Sequence, residues 1–123
     1  AFAEKIKILT FALEIFIKKV VDEGKKVYVY GASTRGNTLL QAAGLNYKQI
    51  IAAAERNAFK WGKICVGTNI PIISEEEARL AKPDYFLVLP WHFRDEIIAR
   101  ERDYLEQGGS LIFPLPKLEI VKL

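Results

Sequence analysis

The sequence predicts an α/β fold: an open, mainly parallel sheet of about five to six strands with helices on both faces, preceded by a long N-terminal helix. Three observations predict it. Short runs rich in β-branched and aromatic residues alternate with segments of helical spacing. The connections between them are short and punctuated by glycine. One run, residues 49–54 (QIIAAA), is apolar on both faces, as a buried parallel strand is.

Residues 2–23 read as one helix. Phe2, Ile6, Leu9, Leu13, Phe16, Ile17 and Val20 recur at helical spacing, and Gly24 is a natural stop. Ile8, Phe11 and Ile15 fall off that stripe, so the apolar face is wide enough to serve a second partner. Residues 26–30 (KVYVY) are a strand, 31–36 a turn, and 37–43 a helix ending at Gly44. Residues 49–54 follow as the second strand. Residues 55–69 show no clear period and read as an ordered loop.

Residues 70–73 form a short edge strand, the place where Pro71 is tolerated. Ser74 followed by Glu77 is a capping box, so a short helix starts there and ends before Pro83. Residues 85–89 (YFLVL) are a buried strand and 90–93 a turn. A helix over 95–107 carries acidic residues in its first turn and stops at Gly108. Residues 110–113 form another strand, and 118–121 add a last edge strand. Right-handed crossovers then give a Rossmann-like sheet, whose ligands bind at the carboxyl ends of the strands.

Composition narrows the function. With 123 residues, half of them hydrophobic and 27% charged, the chain suits one globular domain. The net charge is +3, with lysines and arginines scattered, so a nucleic-acid footprint is not expected. A small anion needs only a few placed cations and a helix end. Cys65 is the only cysteine, which excludes an intrachain disulfide and a cysteine zinc cluster and fits a cytoplasmic setting. No apolar run approaches a membrane span. The absence of methionine points to a piece of something longer.

Three loops fall at strand carboxyl ends. The first, GASTRGN, runs Gly31, Ser33, Gly36, so serine replaces the middle glycine of the dinucleotide fingerprint. Asn37 stands where a Walker loop needs lysine. Ser33, Thr34 and the helix end can offer donors to an anion, and Arg35 a forked cation. Alternatively, Ser33 is a plain N-cap. The second loop opens with Glu55, Arg56 and Asn57. Glu55 lies 24 residues after Gly31, near the ~20 expected of an acidic residue that holds a ribose hydroxyl. Phe59 and Trp61 can stack on a base or form a loop core. The third loop, Pro90 to Arg94, carries Trp91 and the chain's only histidine, His92, a weak candidate for acid–base work. Glu75, Glu76 and Glu77 read as a solvated helix start.

Four ordered blocks go further: VYGASTRGNTLLQ, ERNAFKWGKICVGTNIPI, PDYFLVLPWHFRDEI and GGSLIFPLP. Together, over about residues 25–121, the chain resembles the C-terminal domain of S-adenosylmethionine-dependent sugar C-methyltransferases. The resemblance implies a parent enzyme with a zinc-binding N-terminal domain and a central domain that binds S-adenosylmethionine and performs the transfer. That transfer would abstract a proton beside a sugar carbonyl and then attack the methyl sulfonium.

This chain would be the domain that binds the nucleotide-sugar, with a thymidine diphosphate sugar as the expected substrate, and would be inactive alone. Residues 1–24 would be the packing helix toward the methyltransferase domain, and 25–123 the Rossmann-like domain. Gly31, Ser33, Thr34, Arg35, Gly36 and Asn37 match the family's nucleotide-diphosphate loop, and Arg56 and Asn57 its loop after the second strand. Glu55, Trp91 and His92 complete the expected substrate-binding set. The family commonly has aspartate at the Glu55 position and asparagine at the His92 position.

Two other readings compete: a regulatory domain binding NAD or another nucleotide, which Ser33 argues against, and a domain that only packs and dimerises.

Overall fold

The computed structural model describes residues 2–123, excluding the side chains at positions 2, 3, 5 and 6. The helices are α1 (Phe2–Asp22), α2 (Thr34–Ala42), α3 (Glu75–Leu80), α4 (Arg94–Arg100) and α5 (Arg102–Glu106). The strands are β1 (Val27–Tyr30), β2 (Ala53–Glu55), β3 (Ile72–Ser74), β4 (Tyr85–Val88), β5 (Ser110–Phe113) and β6 (Glu119–Val121). They form one six-stranded sheet in the order β3-β2-β1-β4-β5-β6. All neighbours are parallel except β5 and β6. The chain runs outward from β1 to β3, then returns to β4 on the other side of β1. The boundary between β1 and β4 is therefore the switch point, where such sheets open a crevice.

Alternation along β1 builds both cores. Val27 and Val29 face one side of the sheet, where Leu13, Ile17 and Val20 of α1 and Leu40 of α2 cover them. Tyr28 and Tyr30 face the other, under Ala78 of α3, Ile97 of α4, and Tyr104 and Leu105 of α5. Burying a leucine or isoleucine stabilises by about 1.5–3 kcal/mol, so the Leu13–Ile17 stripe is enough to hold α1 on the sheet. Phe16 meets Tyr85 edge-on at 5.6 Å. The side chains of Phe2 and Ile6, expected on the same stripe, are not among those described. Ile8, Phe11 and Ile15 are 68%, 64% and 53% exposed, as their off-stripe positions require.

Several boundaries differ from the sequence reading. Helix α2 starts at Thr34 and not at Asn37, because the Ser33 hydroxyl accepts from the Gly36 amide at 3.0 Å and caps the chain earlier. Strand β2 is shorter than residues 49–54. The Asn46 carbonyl accepts from the amides of Gln49 (3.1 Å) and Ile50 (3.0 Å), which curls the chain before it joins the sheet. The expected helix over 95–107 is two helices that meet at Glu101. The 55–69 loop contains a 3-10 turn at Ala58–Lys60. Pro71 precedes the edge strand β3, and the Ser74 cap on α3 forms as expected, with Ser74 Oγ accepting from the Glu77 amide at 3.0 Å.

Candidate functional site

The three loops singled out in the sequence meet at the switch point. Gly31 leaves β1 with φ +93, a conformation that side chains rarely adopt. A Cβ there would also sit 3.1 Å from Pro90 Cδ, so the first and third loops are in close contact. Gly36 is packed still more tightly: a Cβ would stand 2.5 Å from Leu89 Cδ1. This is the part played by the last glycine of a Rossmann loop, which lets the helix approach the sheet.

The first loop divides into groups already used and groups still open. Ser33 Oγ is occupied as the α2 cap. Asn37 donates to the Val66 carbonyl at 2.6 Å and accepts from the Thr68 hydroxyl at 2.7 Å, so it fastens the 65–69 segment to α2. The amides of Thr34 and Arg35 have no acceptor among the described residues and lie at the positive end of α2. The Arg35 guanidinium lies over the Trp91 ring, 5.7 Å from its centre. Trp91 in turn stacks on His92 at 5.0 Å. Among the described residues no carboxylate contacts His92, so the structure gives it no acid–base partner.

Glu55 ties the second loop to the first. Its Oε1 accepts from the Ala32 amide at 3.1 Å, and its Oε2 from the Asn57 amide at 2.9 Å. Lys60 Nζ lies 4.0 Å from Oε1 and donates to the Ala32 carbonyl at 3.3 Å. Asn57 Oδ1 caps the 3-10 turn by accepting from the Phe59 amide. Trp61 donates its indole N–H to the Glu55 carbonyl at 2.7 Å, whereas Phe59 is 87% exposed. Neither aromatic forms a loop core.

A cleft of about 210 Å³ opens between these loops and α3 and α4. Glu55, Arg56, Glu75, Pro90, Phe93 and Arg100 are among its walls. Glu75 belongs to this cleft and not to a solvated charge run. Its carboxylate sits 3.4 Å from Arg79 and 3.9 Å from Arg56. Behind it, Arg79 grips the buried Glu101 with Nε at 2.9 Å and NH2 at 2.6 Å, and the Tyr30 hydroxyl donates to the same carboxylate at 2.9 Å. Burial pushes the Glu101 carboxyl up, but the Arg79 and Tyr30 hydrogen bonds outweigh it and hold it below the ordinary range. Burial and the Glu101 charge raise the Tyr30 hydroxyl well above the usual phenol value.

Glu75, Arg79, Arg100 and Glu101 were not singled out from the sequence, because their pairings join distant segments. Among the described residues no group of three or more His, Cys, Asp or Glu is placed to hold a metal. Among the described residues no helix is long and apolar enough to cross a membrane.

Topology and loops together define the class: a doubly wound, Rossmann-like α/β domain with a polar crevice at its switch point. Within that class, residues 1–116 match the family described as C-methyltransferase C-terminal domain, and the chain belongs to it. It is also 38% identical over 120 residues to the C-methyltransferase NovU of Streptomyces niveus. That match takes in 98% of this chain and 29% of the relative's length.

Proposed function

We propose that this chain is the nucleotide-sugar-binding domain of a larger S-adenosylmethionine-dependent sugar C-methyltransferase. The observation that carries the reading is the pair of open amides at the start of α2, beside the Arg35 guanidinium that lies over Trp91, in a chain of this family. Open helix-end amides and a guanidinium fork suit a diphosphate. Trp91 offers a face against which a base or sugar ring can lie. Glu55 is held rigidly by two amides and still has acceptor capacity for a ribose hydroxyl.

In this reading S-adenosylmethionine supplies the methyl group in a central domain of the parent, and a separate N-terminal domain would hold the zinc. The residues of this chain bind and orient the nucleotide-sugar, expected to be a thymidine diphosphate sugar, in the cytoplasm. The exposed Ile8, Phe11 and Ile15 on α1 are the surface offered to the methyltransferase domain.

A fluorescence titration tests the reading. Trp91 lies under the Arg35 guanidinium, and Trp61→Phe removes the other indole so that Trp91 alone reports. Thymidine diphosphate should quench the remaining emission saturably, and Arg35→Ala should weaken that binding about tenfold, the scale of one charge-assisted contact. Saturable quenching by NAD, with none by thymidine diphosphate, would favour the regulatory-domain reading instead.

A further inference from the structure

Arg100 carries an inference that the sequence and the family match do not assign. Most arginines of the described residues have a carboxylate within ion-pair distance: Arg56 has Glu75, Arg79 has Glu101, Arg94 has Glu119, and Arg102 has Glu106. Arg35 and Arg100 have none. Each is held instead over an aromatic ring, Arg35 over Trp91 and Arg100 over Tyr30, both at 5.7 Å. Arg100 lines the cleft from α4, and Arg35, from α2 on the other face of the sheet, lies over Trp91, the neighbour of the cleft-lining Pro90.

The reason Arg100 is free is structural. Its neighbour Glu101 is buried and hydrogen-bonded to the Arg79 fork and the Tyr30 hydroxyl, so Arg100 acts on it only through its charge and makes no ion pair with it. An arginine that makes no ion pair, spread on a ring at the wall of a polar cleft, keeps its donors available for an incoming anion.

We propose that Arg100 is a second phosphate-binding residue, which meets the ligand's diphosphate from the α4 side of the cleft while Arg35 and the α2 amides meet it from the other. This rests on the nucleotide-sugar reading and names a contact within it. Two cations on opposite sides of the crevice fix the direction of an elongated anion, which a single helix end does not. The contact is electrostatic, so it acts on the phosphate and not on the base or sugar.

Calorimetric titrations of the whole chain with thymidine diphosphate, inorganic pyrophosphate and uncharged thymidine test it. Arg100→Ala should weaken thymidine diphosphate and pyrophosphate by about tenfold or more and leave any thymidine binding unchanged. Arg100→Lys should restore only part of the loss, because an ammonium does not reproduce the fork. Arg102→Ala removes the same charge outside the cleft and should leave all three unchanged. Thermal midpoints of the variants show whether each remains folded, and Arg100→Gln replaces the alanine variant if that one unfolds. Wild-type affinity for thymidine diphosphate retained in the folded Arg100 variants overturns this inference alone. No binding of thymidine diphosphate by the wild type overturns the nucleotide-sugar reading as well.

Discussion

Glu55 accepts a hydrogen bond from the Ala32 amide at 3.1 Å, so the carboxylate that closes β2 fixes the loop that leaves β1. The same carboxylate holds the Asn57 amide. Two loops that are separate in sequence are thereby one rigid rim of the cleft. Glu55→Ala should release both amides and cost about 1–3 kcal/mol of stability, the scale of hydrogen bonds to a charged, half-buried group. Urea unfolding gives the magnitude, and faster amide exchange confined to residues 32 and 57 would locate the effect. Unchanged exchange at Ala32 would mean that the contact does not hold the rim.

Gly36 has no room for a side chain. A Cβ would lie within 3 Å of three Leu89 atoms, at the point where α2 crosses the end of β4. Leu89 is itself buried, so it has little freedom to yield. Gly36→Ala should therefore destabilise the chain by about 1–3 kcal/mol despite the better helix propensity of alanine. Denaturant midpoints for Gly36→Ala and for the exposed Gly62→Ala, which has an open surrounding but a φ of +82, separate the clash from backbone strain.

Glu101 gives the stability a defined pH dependence. Against the upward push of burial, Arg79 and Tyr30 hold its carboxyl below the ordinary value. A group lowered on folding binds more protons in the unfolded chain. Its contribution is complete above the unfolded value of about 4.3 and is lost as pH falls through the folded one. Glu101→Gln leaves the partly exposed Arg79 with Glu75 alone as counter-charge, and should cost about 2 kcal/mol near neutral pH. Urea midpoints for wild type and variant, compared from about pH 7 down to about pH 3, should converge as the wild type loses this term. A gap that stays constant would remove the titration of Glu101 from the account.

The parts of the fold legible in the sequence are those set by local chemistry. Ser74 with Glu77 gave the start of α3, because a cap needs only neighbours within one turn. The stripe of Leu13, Ile17 and Val20 gave the buried face of α1. The start of α2 was placed late because Gly36 looks like a turn residue, whereas here it is required inside the helix by Leu89. The break at Glu101 is not legible in the sequence, where the partners of this buried residue, Arg79 and Tyr30, lie 22 and 71 residues away.

The candidate site divides the same way. Gly31, Arg35, Glu55 and Trp91 were found because strand ends and glycine spacing mark loops. Arg100 and Glu75 lie on helices and reach the cleft only through tertiary packing. Ser33 and Asn37 were found as loop residues, and the structure shows what their side chains do: one caps α2 and the other clamps the 65–69 segment.

The measurement that bears most directly on the central claim is thermal unfolding of the chain with millimolar thymidine diphosphate, uridine diphosphate, NAD and S-adenosylmethionine in parallel. A ligand that binds only the folded state adds about 2.7 kcal/mol at a hundred times its dissociation constant. For a domain of this size that is a rise of several degrees in the midpoint. The account predicts such a rise with a nucleoside diphosphate, lost in Arg35→Ala, and none with S-adenosylmethionine. A rise with NAD alone, or no rise with either nucleoside diphosphate, would contradict it.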